Sequence, residues 1–156
     1  MSNQLGPRID TVLTDFVLCD SAQLPIHLSD LLGEKGLLLA FIHGTWCPAC
    51  VHTVRQLQRY TRQYASLGVR IAVVAADQPH RLDAFKRSAA INIDFPLLSD
   101  TDALLRRRYH LQEATAYFLI DDGQVLRSKY IDTDHQSLPG HARLMAELQT
   151  LFAQGL

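Results

Sequence analysis

Cysteine is scarce in this sequence, a charge of either sign does not prevail, and no long apolar run occurs; each of these absences excludes something. Three cysteines in 156 residues are an odd count, and a chain of this length buries roughly 68–70% of its unfolded surface without crosslinks. A secreted disulfide framework is therefore not expected. Fifteen Lys+Arg against sixteen Asp+Glu leave a net charge of −1, which supplies no pull toward nucleic acid or an anionic membrane. No apolar run approaches the roughly 18–20 residues that cross a bilayer, and Met1 to Arg8 carry no apolar signal core. The expectation is a soluble cytoplasmic protein with no membrane and no nucleic-acid partner. Repeats, low-complexity tracts and linker-like stretches are also missing, and 47% hydrophobic with 20% charged residues is ordinary globular usage. One domain over residues 1–156 follows.

Strand and helix patterns alternate along the chain. Thr14 to Leu18 and Leu24 to Leu28 read as two short strands around the polar turn Asp20-Ser21-Ala22-Gln23, with Ser29-Asp30 capping a short turn. Gly36 to Ile42 is a continuous apolar run, as expected of a central strand buried on both faces. Val51, Val54, Leu57, Thr61 and Tyr64 recur at helical spacing and predict one helix from Pro48 to about Leu67, stopped by Gly68. Val69 to Ala75 is a second buried strand, parallel to the first through a right-handed crossover. Pro79 opens a helix with Leu82, Phe85 and Ala89 on one face, and Ser99 or Asp100 caps another that runs to about Tyr109. Thr115 to Ile120 and Gln124 to Ile131 form a hairpin through Asp121-Asp122-Gly123. A last helix begins near Ser137 and Pro139 and is striped by Leu144, Leu148 and Leu151. This order predicts an α/β sandwich, a mixed sheet with helices on both faces.

Trp46-Cys47-Pro48-Ala49-Cys50 falls where the central strand hands over to the next helix, the end of an open α/β sheet at which chemistry is usually placed. Two thiols at this spacing in a first helical turn can close a local disulfide. The unpaired N–H groups and positive dipole end of the helix favour a thiolate on the first, and such placement lowers a thiol pKa from ~8.5 to ~7 or below. Cys47 is the candidate nucleophile, and Cys50, deeper and nearly a turn on, the candidate resolving thiol. Pro48 suits a first turn that has no use for its N–H. His43, His52 and Arg55 are nearby sources of positive potential.

A zinc half-site would need a second ligand pair, for which Cys19, His43 and His52 are the local completions, so no metal is expected. Cys19 reads as a small, partly buried apolar residue outside the site. Arg106-Arg107-Arg108 reads as the solvated face of a short helix. Asp77 reads as a capping or turn residue at the same end of the sheet as Cys47, and Trp46 as packed beside the thiols.

Phe41-Ile42-His43-Gly44-Thr45-Trp46-Cys47-Pro48-Ala49-Cys50 resembles the F-x-R-G-x-W-C-P-x-C signature of peroxiredoxin-like members of the thioredoxin-fold superfamily, with His43 where an arginine is usual. Asp15 to Leu18 with His27 to Leu31 is similar to the opening hairpin of that branch and of cytochrome-maturation thiol-disulfide reductases. Phe95-Pro96-Leu97-Leu98-Ser99-Asp100 and Phe118 to Arg127 are similar to later peroxiredoxin stretches. The loop before the tryptophan is one residue longer than is typical of the maturation-type reductases.

The resemblance covers nearly the whole chain. It implies a thioredoxin-like sandwich of AhpC/TSA type, with a mixed central sheet flanked by helices and an N-terminal β-hairpin. It also implies that Arg127 joins Cys47 and Cys50 in catalysis of peroxide reduction, and that Trp46, Thr45, Thr115 and His43 line the substrate side. Two departures stand out. The position at which thioredoxins and maturation-type reductases carry a cis-proline is Thr115. The peroxiredoxin Thr-x-x-Cys motif is broken in either register, with Cys47 in the threonine slot if Cys50 attacks peroxide and Gly44 there if Cys47 does.

The function implied is a thiol oxidoreductase cycling a CxxC dithiol and disulfide, foremost a peroxiredoxin-like reductase of hydroperoxides. A thiol-disulfide reductase acting on protein or small-molecule disulfides is the alternative, and a non-enzymatic redox-sensing or metal-binding module the third reading. No flavin, haem or nucleotide fingerprint is present, so no cofactor is expected. Electrons would arrive from an external thioredoxin- or glutathione-type reductant. The sequence sets no oligomeric state.

Overall fold

The computed structural model describes residues 5–88, 92–133 and 138–152. Strands β1 (Val17–Asp20) and β2 (Pro25–His27) form the expected N-terminal hairpin, closed by Asp20 Oδ1, which accepts from the N–H groups of Ala22 and Leu24 at 2.8 and 3.0 Å. The first strand starts three residues later than the apolar pattern suggests. Asp15 is occupied instead with His27 Nδ1 and the Ser29 N–H, at 2.9 and 3.0 Å, which turns the segment over the short helix α1 (Leu28–Leu31).

The apolar run forms β3 (Gly36–Phe41), with α2 (Pro48–Arg59), α3 (Thr61–Ser66), β4 (Val69–Ala75) and α4 (Pro79–Ser88) following. One helix was expected where α2 and α3 stand. The break falls at Tyr60, whose ring stacks on His141 with centroids 3.6 Å apart, while Thr61 Oγ1 donates to the Leu57 carbonyl at 2.9 Å. A hydroxyl taking a carbonyl of the preceding turn is a known way to bend a helix. Ala89, the third residue of the apolar face expected on α4, lies outside the described residues, as does Ser137.

Strand β5 (Leu97–Ser99) has no counterpart in the sequence reading: three buried residues are too few to show a period. It pairs parallel with β4 and antiparallel with β1, and so ties the N-terminal hairpin into the sheet. A 3-10 turn at Thr101–Ala103 leads into α5 (Leu104–Arg108). Asp100 caps it, Oδ1 and Oδ2 accepting from the N–H groups of Leu105 and Arg106 at 2.8 and 2.9 Å.

Strands β6 (Thr115–Asp121) and β7 (Leu126–Asp132) form the second hairpin, and α6 (His141–Phe152) ends the described chain. The hairpin residue that takes the left-handed conformation is Gln124, at φ 64°, rather than Gly123.

The seven strands run in the order β2-β1-β5-β4-β3-β6-β7. Strand β3 is parallel to β4 and antiparallel to β6, with Phe41 opposite both Val74 and Ala116. Its side chains divide by alternation. Leu38 and Ala40 join Val54, Leu57, Leu144 and Leu148 from α2 and α6, whereas Leu37, Leu39 and Phe41 join Leu28, Leu31 and Leu105 from α1 and α5. Each leucine, valine or phenylalanine among them contributes about 1.5–3 kcal/mol on burial. A one-residue slip would exchange the two faces, so the register is fixed from both sides. The chain ends of β3 and β4 and the start of β6 are thereby brought to one edge, where Cys47 follows.

Candidate active site

Cys47 is the N-cap of α2. Its backbone is extended, at φ −93° and ψ 118°, its carbonyl accepts from the Val51 N–H at 3.0 Å, and its Sγ accepts from the Cys50 N–H at 3.4 Å. The sulfur thus takes the place of a capping side-chain oxygen, a position where a helix N–H and the positive end of the helix favour an anion. Pro48 occupies the first helical position, as expected.

One turn further in, Cys50 is 2% exposed and packs with Ile42, Val54 and Tyr117. Its Sγ accepts from the His43 N–H at 3.3 Å. Burial pushes the Cys50 thiol up to about 11; the N–H groups of Gly44 and His43 work against that, and neighbouring Cys47 adds to it. Both cysteines are free thiols, one half-buried and one buried. The expected division into an outer and an inner thiol is therefore present in the geometry.

The loop between β3 and α2 is held by three contacts. Asp77, 8% exposed in the segment after β4, accepts from the Thr45 N–H and Oγ1–H at 2.7 and 2.8 Å through Oδ2. The turn role expected of Asp77 is exerted across the site rather than within its own turn. His43 Nε2 pairs with the Glu113 carbonyl, joining this loop to the one before β6. Gly44 is required by closeness: a Cβ there would meet the Trp46 indole, and Asp77 Oδ1 at 2.8 Å. Trp46 itself is 68% exposed and stacks on the His43 ring at 6.2 Å between centroids. Its expected packing beside the thiols is corrected, because the loop turns the indole outward over Gly44.

Thr115 is buried at the start of β6, its Oγ1 donating to the Asp132 carbonyl at 3.4 Å. With Cys47, Ala49, Cys50, Thr53, Asp132 and Leu138 it lines a cavity of about 150 Å³. Of the residues expected at the site, Cys47, Cys50 and Thr115 therefore share one cavity, and His43, Thr45 and Trp46 shape the loop beside it.

Arg106 corrects the reading of the arginine run as a solvated face. Arg107 and Arg108 are exposed, but Arg106 is 8% exposed. Its guanidinium donates to the carbonyls of Gln112 at 3.0 Å and of Ala114 through Nη1, and to that of Ile42 at 3.0 Å through Nη2. It ties the residue after β3 to the one before β6, one peptide away from the Cys50 sulfur. Burial draws its pKa down, against the fields of Glu113, Asp100 and Cys50. The one sequence cue was its place in the helical repeat, beside the buried Leu105 and three residues before the buried Tyr109.

Arg127 is not brought to the cysteines. It stands at the start of β7, beside the pairs Ile120 with Leu126 and Leu119 with Ser128. Those positions lie against Leu37 and Leu38, which is ~10–13 Å along β3 from Phe41 at about 3.3 Å per residue. There it pairs with Asp10 at 3.1 Å and Asp121 at 3.2 Å. Cys19 is likewise corrected: it is exposed and lies within β1, opposite Pro25 and Ser99. His52 and Arg55 are exposed on α2. Among the described residues no three His, Cys, Asp or Glu side chains cluster as ligands for a metal ion, and no helix is long and apolar enough to cross a membrane.

Comparison with solved structures finds the same fold. Peroxidoxin BcpB from Mycobacterium tuberculosis is 19% identical with a TM-score of 0.76, over 95% of this chain and 97% of that one. A yeast mitochondrial 1-Cys peroxiredoxin is 15% identical with a TM-score of 0.79, over 92% and 78%. Xanthomonas campestris peroxiredoxin Q is 20% identical with a TM-score of 0.75, over 86% and 90%. In sequence, the chain is 28% identical over 114 residues to the thiol-disulfide oxidoreductase ResA of Halalkalibacterium halodurans. That match takes in 72% of this chain and spans 63% of the length of that relative. The AhpC/TSA family model matches residues 9–129, which include both site cysteines and 121 of the 156 residues, and the chain belongs to that family.

Proposed function

We propose that the protein is a thiol oxidoreductase that cycles Cys47 and Cys50 between dithiol and disulfide, with a hydroperoxide as its oxidising substrate. The observation that carries this reading is the pairing of a half-buried Cys47 sulfur at the N-cap of α2 with a buried Cys50 one turn away. The Cys47 thiolate attacks the outer peroxide oxygen, the O–O bond breaks, and the alcohol or water leaves with a proton, so that Cys47 becomes a sulfenic acid. Cys50 then condenses with it, releasing water and forming the disulfide. An external reductant, one dithiol of thioredoxin type or two thiols of glutathione type, returns the two electrons and becomes a disulfide itself. Membership of the AhpC/TSA family supports the peroxide assignment.

A second reading, exchange with protein disulfides, is favoured by one observation. Trp46, Pro48 and Ala49 form an exposed rim around Cys47, and an exposed aromatic beside a reactive sulfur suits a docking polypeptide. The peroxide role that the resemblance implies for Arg127 has no support in its surroundings, where it pairs with Asp10 and Asp121.

The test is stopped-flow fluorescence of Trp46, the single tryptophan, in reduced protein mixed with hydrogen peroxide, alongside Cys47→Ser and Cys50→Ser. A change far faster than oxidation of a free thiol, lost in Cys47→Ser and kept in Cys50→Ser, is the expected result. A rate no better than that of a free thiol would remove peroxide as substrate and leave disulfide exchange.

A further inference from the structure

The peptide that joins Ile42 to His43 is bonded at both ends. Its carbonyl oxygen accepts from Arg106 Nη2 at 3.0 Å, and its N–H donates to Cys50 Sγ at 3.3 Å. A cation on the oxygen draws electron density along the amide and makes the N–H a stronger donor, and hydrogen bonds chained in a low-dielectric interior strengthen one another. Burying a guanidinium is expensive. Asp100 and Glu113 stand in its field as carboxylates, and the remaining group there, Cys50, is the one whose charge changes during the cycle.

We propose that Arg106 is a positioning residue that acts on Cys50 through the Ile42–His43 peptide, stabilising negative charge on the Cys50 sulfur. The proposal rests on the Cys47–Cys50 cycle described above. Two steps place charge on that sulfur. In closure, Cys50 gives its proton to solvent, its sulfur attacks the Cys47 sulfur of the sulfenic acid, and the S–O bond breaks as hydroxide leaves and is protonated to water. In re-reduction, a thiolate of the external dithiol attacks Cys47 and the Cys50 sulfur leaves as a thiolate, faster the better it holds charge. The donor's second thiol then displaces Cys47, which completes the transfer of two electrons. The groups around Cys50 are Cys47 on its own helix, His43 in the loop before it, Arg106 from α5, Tyr117 from β6 and Asp132 from the end of β7, with Thr115 and Thr53 as neutral neighbours in the cavity.

A chromogenic aryl disulfide, dithiobis(nitrobenzoate), separates the two thiols without any assumption about the natural substrate. Attack by Cys47 releases the first nitrothiobenzoate and leaves a mixed disulfide. Attack by Cys50 on the Cys47 sulfur releases the second and forms the internal disulfide. Full-length wild type, Arg106→Met, Arg106→Gln and Arg106→Lys are compared across pH.

The first release is expected to stay within about twofold in all four. The second slows by about tenfold or more in the two neutral variants, the scale of one charge-assisted hydrogen bond, with its pH profile displaced upward. Arg106→Lys, which keeps the cation, recovers most of that rate. A purely structural role would slow both releases, and no role would slow neither; either result overturns the proposal. A wild type that releases only one equivalent would overturn the cycle itself.

If the neutral variants do not fold, the decision passes to Cys47→Ser with Arg106 in place, in which Cys50 ionisation is followed by its ultraviolet thiolate absorbance. The same titration is run on Cys47→Ser combined with Arg106→Lys: a Cys50 midpoint that is lower with arginine than with lysine at position 106 supports the relay, and identical midpoints overturn it.

Discussion

Asp77 and Thr45, 32 positions apart, are joined twice through one oxygen: Oδ2 of Asp77 accepts both the backbone N–H and the hydroxyl of Thr45, at 2.7 and 2.8 Å. The carboxylate belongs to the loop after β4 and the threonine to the loop after β3, two residues before Cys47. The parallel pairing of β3 with β4 puts these two loops side by side, and Asp77 fixes how the second one enters α2. Replacing Asp77 by Ala leaves the part-buried Thr45 N–H without its acceptor, which costs about 1–3 kcal/mol. Melting of Asp77→Ala is expected several degrees below wild type, with slower alkylation of Cys47 as its N-cap geometry loosens. Thr45→Val, which loses only the hydroxyl bond, falls by about 1 kcal/mol, roughly 2–4 °C for a chain of this size. An unchanged melting temperature in Asp77→Ala would show that the tie is incidental.

Burial of Cys50 also makes a statement about stability against pH. Its thiol is pushed from an ordinary 9.0 up to about 11, so the folded state holds a proton that the unfolded state gives up earlier. The contribution is therefore complete below pH 9.0 and is lost as pH rises toward about 11. Denaturant unfolding of the reduced protein is expected to lose on the order of 1–3 kcal/mol across this window beyond what Cys50→Ala loses. Tyr64, Tyr109 and Tyr117 are also raised by burial, so the comparison with Cys50→Ala is what isolates the thiol. Parallel curves for the two proteins would contradict the assignment of the shift to this side chain.

The central strands and the position of the cysteines were legible because their cause is local. Gly36–Phe41 and Val69–Ala75 are uninterrupted apolar runs, and nothing but a strand buried on both faces suits them in that length. Pro48 after a thiol at a strand end announces a helix start whatever surrounds it. The features that were missed depend on partners far along the chain. Tyr60 breaks a helix because His141 stacks on it, and β5 is a strand because β4 and β1 flank it. Arg106 reads as a solvent cation until the carbonyls of Ile42 and Ala114 are placed above it. Arg127 shows the reverse error: a motif carried it toward the site, and the register of β7 sets it at the other end of the sheet.

That register yields a prediction with an expected absence of effect. Arg127 is partly exposed and paired with Asp10 and Asp121, an arrangement worth no more than about 1 kcal/mol. Arg127→Ala should keep the rate of Cys47 oxidation by hydrogen peroxide within about twofold and lower stability only by that small amount. A loss of tenfold or more in peroxide reactivity at unchanged stability would restore a catalytic part to this residue and would require β7 to sit differently from the pairing described.

Trp46 separates the two substrate readings. The indole is 68% exposed and rests on His43 rather than in the core, so removing it should cost no more than about 0.5 kcal/mol, as for other surface positions. On the peroxide reading, a small peroxide would be held in the cavity that Cys47 shares with Thr115 and Leu138, with no need of the rim. A folded protein disulfide must approach over Trp46, Pro48 and Ala49. Trp46→Ala should therefore react with hydrogen peroxide at close to the wild-type rate, followed by direct peroxide consumption because the fluorophore is gone. Its exchange with a protein disulfide should slow by about tenfold if that rim carries one aromatic anchor of the interface. Equal rates with the protein disulfide would mean that the exposed indole is not a docking surface, and the case for exchange would lose the observation on which it stands.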